Sequence, residues 1–244
     1  MSKAARRSLP VAHSYPVDAI RRIVGRAALA VGFVVPAALS AQAWAYPAFQ
    51  PPRVMNREFN FGVADAGDAG TSLIFQWREG LSNRSQLGLD VGFADPKAKG
   101  NGKFVLGGQY AYLFTQGNAE MPLDFLGTAG IGFAFGDGGN LVRIPFGVSI
   151  GHRFPLDQGF AITPYVHPRA SIDICSDCSS SGGNETDLGI DFDIGANFEV
   201  TKQLSFRVSA LFGGSDTFGD SDGFGLSLAW SPPQLSKVSK LIGR

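Results

Sequence analysis

The sequence predicts an all-β fold: a closed antiparallel transmembrane β-barrel of about ten strands, with eight as the alternative. Three observations predict it. Apolar residues recur at every second position through segment after segment, which is the period of a strand and not of a helix. Beyond the N-terminal region, no stretch is apolar and long enough for a helical span, and only helices and closed barrels satisfy their backbone polar groups in lipid. Aromatic residues gather near the ends of the alternating segments, where the two interfaces of a bilayer favour them. Composition agrees, with 32 Gly and 20 Phe in 244 residues and only 17% charged. The formal net charge of +0 removes the electrostatic case for nucleic-acid binding.

The chain opens with a secretory signal peptide over residues 1–45. Arg6, Arg7, Arg21, Arg22 and Arg26 form a positive region, 27–39 (AALAVGFVVPAAL) is the apolar core, and Ala43-Trp44-Ala45 is the cleavage signal before Tyr46. That core is shorter than the roughly 20 residues of a spanning helix. Residues 46–56, with three prolines, read as an extended periplasmic lead-in. The barrel then occupies 57–230, and 231–244 is a tail whose Leu235, Val238, Leu241 and Ile242 fall at helical spacing.

The clearest strand is 187–200, DLGIDFDIGANFEV, with one face apolar from Leu188 to Val200 and the other carrying Asp, Gly, Asn and Glu. The same sorting marks 86–93, 142–151, 160–174, 204–212 and 224–230, and more weakly 59–64, 72–78, 103–114 and 123–135. Pro164 and Pro168 remove ladder donors from their strand, so a bulge or edge distortion is expected there. Across strand middles the apolar face carries no charge; Arg or Lys on the lipid side would cost about 2–4 kcal/mol. If the first strand rises from the periplasm, one rim collects Phe59, Trp77, Tyr112, Phe114, Phe154, Phe160, Phe198 and Trp230. The other collects Phe93, Phe104, Phe133, Phe135, Phe212 and Phe224. Connections near 80–84, 116–121, 155–158 and 201–203 are tight, whereas 95–102, 175–186 and 213–223 are longer outside loops.

Two stretches carry a resemblance. Residues 148–166, VSIGHRFPLDQGFAITPYV, resemble small outer-membrane barrels of the opacity-protein and surface-antigen type, porin-like in pattern. The segment 223–230, GFGLSLAW, resembles the β-signal read by the barrel-assembly machinery, although Gly223 stands where a polar residue is usual and the chain continues past Trp230. The resemblance implies a bacterial outer-membrane location, outer-membrane lipid around the barrel and the assembly machinery as a partner. It implies no activity.

The inward faces carry Glu58, Arg78, Asp90, Asp124, Arg143, His167, Arg169, Asp173, Asp187, Asp191, Asp193, Glu199 and Arg207. Charges buried in a narrow barrel must be paired or solvated, so a salt-bridged lumen is expected, centred on Arg143, His167, Arg169, Asp173, Asp191, Asp193 and Arg207. A narrow polar path for ions or small solutes is the alternative. A hydrolase is the remote third reading: His152 near Ser149 or Ser205 has no motif behind it, and no catalytic residue is assigned. Cys175 and Cys178 are expected to form a loop disulfide in an oxidising compartment. Asp220-Ser221-Asp222-Gly223 lacks most of a calcium-loop ligand set, so no metal or cofactor is assigned. The leading expectation is a structural or surface-interaction protein with a largely self-plugged polar lumen, open to an extracellular ligand through its loops.

Overall fold

The computed structural model describes residues 48–65, 70–95, 102–136, 140–176, 183–215, 219–220 and 222–233. The segment read as a signal peptide (residues 1–45), Cys178, Ser221 and most of the C-terminal tail lie outside the described residues.

Period-2 patterning yields ten strands of eight residues or more among the described residues. They are β1 (Arg57–Asp65), β2 (Thr71–Gly80), β3 (Ser85–Asp95), β4 (Lys103–Thr115), β5 (Asp124–Phe135), β6 (Asn140–Gly151), β7 (Ala161–Ser176), β8 (Glu185–Glu199), β9 (Leu204–Ser215) and β10 (Gly223–Trp230). Each pairs antiparallel with the next. β10 also pairs with β1, Trp230 opposite Phe59 and Phe224 opposite Asp65, so the sheet closes and leaves no edge.

Alternation then sorts the side chains. Phe61, Leu73, Phe93, Phe104, Phe146, Leu188, Ile190 and Leu228 are exposed on the outer surface, whereas Asn60, Gln76, Arg143, His167, Asp173, Asp193 and Arg207 are buried inside. Among the described residues, no Asp, Glu, Lys or Arg faces outward in a strand middle. An apolar exterior around a polar interior is the reverse of a soluble protein, and it is what a bilayer demands of a spanning barrel. Aromatic residues occupy both ends: Phe93, Phe104 and Phe135 are successive partners at one end, and Trp77, Phe59 and Trp230 at the other. Phe59 and Trp230 stack at 5.8 Å. Aromatic rings also continue between the rims, as at Phe61 and Phe75, 5.0 Å apart.

The proline expectation is met as a gap in one ladder and not as a bulge. β7 keeps one register along β8 from Ala161 to Cys175, whereas its pairing with β6 is interrupted at Pro168, between Gly147↔Arg169 and Ile150↔Val166, with the register the same on both sides. Both prolines have the same parity and face outward, so their missing donors fall toward one neighbour and no extra residue is needed. The bulge is instead between β4 and β5, at Leu113 and Thr115. The connections at the β1-start end are held by local bonds: Asn118 Oδ1 accepts from the Glu120 and Met121 amides, and Thr201 Oγ1 from those of Gln203 and Leu204. Both are side-chain mimics of a backbone turn.

Candidate functional site

Among the described residues, many chemically active side chains converge in the interior. On β6, β7 and β8 the register brings Arg143 opposite Asp173 and Arg169 opposite Asp191. Arg143 donates to both Asp173 oxygens at 2.8 and 2.6 Å and reaches Asp191 Oδ2 at 3.4 Å. Arg169 turns to Asp193, 3.1 Å away. This fork-to-carboxylate geometry satisfies charges that lie out of water's reach. Across the lumen Arg207 bonds Glu58 at 2.7 Å and Asn197 at 2.8 Å, while Arg78 pairs with Asp90. Thr128 Oγ1 lies 2.9 Å from His167 Nε2, and His167 Nδ1 lies 3.7 Å from Asp193. That order of hydroxyl, imidazole and carboxylate resembles a nucleophile relay, but all three groups are buried in a filled lumen.

What fills the lumen is the segment expected to lie below it. Ala48, Phe49 and Gln50 are 8%, 1% and 4% exposed. Five strands hold them. The Ala48 amide donates to Asp193 at 3.3 Å, and the Ala48 carbonyl accepts from Gln76 at 3.2 Å. Arg207 donates to the Phe49 carbonyl at 3.1 Å and Ser149 Oγ to the Gln50 carbonyl at 2.6 Å. Gln109 donates to Gln50 Oε1 at 3.1 Å. The sequence reading of 46–56 as a lead-in outside the barrel is therefore corrected for residues 48–50. Its three prolines suggested an extended chain, and nothing in local patterning reports a contact with five distant strands.

Phe49 explains two inward glycines. A Cβ on Gly225 would lie 2.5 Å from the Phe49 ring, and one on Gly62 would lie 3.1 Å from it. These strands are adjacent, so the two glycines form one slot. Phe49 itself adopts φ 47°, a conformation that a bulky residue holds only where its surroundings over-determine it. With Ala64, Ile74, Val105, Ala134, Leu141 and Cys175, its ring builds an apolar layer across the lumen. The interior is thus polar in its middle and apolar toward one end, which the strand patterns alone did not reveal. Below this layer, a cavity of about 30 Å³ bordered by Ala48, Asp90, Gln109 and Arg169 has room for a water.

At the β1-start end Arg53 and Arg153 converge on Glu199, at 2.5 and 2.8 Å. The Glu199 hydrogen bond raises the Arg153 pKa above its ordinary value. Asp187 is the cross-strand partner of Asp173 and accepts from the Leu188 amide, while Asp124 accepts from the Gly117 amide. His152 and Ser149 are not brought together, because the imidazole packs edge-on to Phe154 at 4.6 Å while the Ser149 hydroxyl is committed to Gln50. Cys175 is buried at the apolar layer; its expected partner lies outside the described residues.

No protein-family model matches the chain, and no curated protein matches it. Solved structures similar to it include LpxR from Salmonella typhimurium, at 9% identity and a TM-score of 0.44, covering 71% of this chain and 99% of that one. The NanC porin has 8% identity and a TM-score of 0.42 over 73% and 100%. Acinetobacter baumannii outer membrane protein Omp33 has 8% identity and a TM-score of 0.36 over 73% and 98%.

Proposed function

We propose that this chain is an outer-membrane barrel with a structural or surface-interaction role, closed by its own N-terminal segment. The observation that carries the reading is the seat of Ala48, Phe49 and Gln50 between five strands. An occluded lumen leaves the loops at the end remote from the start of β1 as the interacting surface, braced by a Cys175–Cys178 disulfide. Export would remove residues 1–45, and the barrel-assembly machinery would insert the rest. The test is single-channel conductance of the mature protein in planar bilayers, beside a variant lacking 46–53. A silent parent and a conducting deletion support the reading. Steady openings from the parent would overturn it.

A narrow channel is the second reading, favoured by the nature of the plug's contacts. Its five wall bonds are polar, so lumen water could replace them, each at a net cost of about 0.5–1.5 kcal/mol. In that case Arg143→Ala would change the ion selectivity of the openings.

A further inference from the structure

On the outward face of β2 to β5 two rows of partners run side by side. Trp77, Leu89, Gly108 and Ile131 form one, and Glu79, Leu87, Tyr110 and Ala129 the next. The small residues Gly108 and Ala129 sit on a diagonal among large ones and floor a groove of about 590 Å³. Glycine is not required at 108 by packing: a Cβ there would meet nothing nearer than the Gly88 carbonyl at 4.0 Å. By contrast, a Cβ at Gly127 or Gly130 would lie 2.2 or 2.7 Å from its nearest neighbour. Nor does the backbone require it, since Gly108 is not among the positive-φ residues. Glycine weakens a strand; what Gly108 provides is the open floor.

The groove lies in the lipid-facing band, so its occupant comes from the bilayer. Its walls suit hydrocarbon. The ionised residue on its lining is Glu79, which receives two 2.7 Å bonds from the half-exposed Arg57 and one of 3.1 Å from Trp77 Nε1. An anion and a cation thus stand together at the interfacial end of an apolar trough.

The geometry points to a phospholipid site: an acyl chain lies over Gly108 and Ala129, and a zwitterionic amine headgroup meets the Arg57–Glu79 pair, ammonium toward Glu79 and phosphate toward Arg57. It is independent of whether the lumen conducts.

The probe is phosphatidylethanolamine spin-labelled on its acyl chain, added to the full-length mature barrel in phosphatidylglycerol vesicles. The immobilised fraction of the spectrum is read for the parent, Gly108→Leu and Glu79→Gln. Heat-modifiable migration on gels confirms that each variant is folded. Gly108→Leu is expected to lower retention of the probe about tenfold. Glu79→Gln is expected to weaken the preference for this lipid over a spin-labelled phosphatidylglycerol. Equal immobilisation in the parent and a folded Gly108→Leu would overturn the site. So would a parent dimer that Gly108→Leu converts to monomer, which would make the groove a contact between two copies.

Discussion

Two sides of the same lumen are filled by different means. Along β6, β7 and β8 the wall fills itself: Arg143 and Asp173 are direct cross-strand partners, and Asp191 completes the cluster from the next strand. Along β10, β1 and β2 the wall is hollowed by Gly62 and Gly225, and Phe49 fills the hollow from a segment that belongs to no strand. The first side is stabilised by charges that cannot be separated without cost. The second depends on a shape that a single added methyl group would spoil. The first side is therefore expected to resist rearrangement, and the second to empty without dismantling the sheet.

The largest effect is expected from Arg143→Ala, which removes both hydrogen bonds that Arg143 gives the buried Asp173 carboxylate and its contact with Asp191. Loss of one partner of a buried ion pair costs about 3–5 kcal/mol, and the midpoint of urea unfolding in lipid vesicles reads it. A shift no larger than that of a surface substitution would show that the self-filled side is solvated. Gly225→Val tests the other side. Overpacking against Phe49 should cost about 1–3 kcal/mol and expel the segment, so trypsin would cleave after Arg53 in an otherwise folded barrel. Continued protection of Arg53 would mean that the hollow is not what holds the plug.

Ser149→Ala removes a single hydrogen bond to the Gln50 carbonyl. About 1 kcal/mol is expected, visible as a small fall in the same midpoint. Smallest is Arg153→Ala. Its side chain is 47% exposed, Arg53 still holds Glu199, and solvent screens the pair. A change under about 1 kcal/mol is expected; a larger one would tie this rim to the plug.

Much of the lumen was legible beforehand because its parts are local. Arg143, Asp173 and Asp191 have the inward parity of their own strands, and consecutive antiparallel strands bring such residues together. The aromatic rims at Trp77, Trp230, Phe93 and Phe104 follow from the same parity plus strand ends. Gly108 was just another glycine in the sequence, since only the rows on either side make its missing side chain a groove. The bulge at Leu113 was equally hidden, while the prolines that seemed to announce one sit in register.

By itself, then, the sequence determined the strands, their two faces and the closure into a barrel. These rest on period-2 alternation, and lipid punishes any slip of register that would turn charge outward. Tertiary structure alone decided what occupies the interior. Gly225 lies far along the chain from Phe49 and Gly62, and meets them because β10 returns to β1 and brings both glycines against one ring. Local patterning cannot carry a contact whose partners become neighbours only when the sheet has closed.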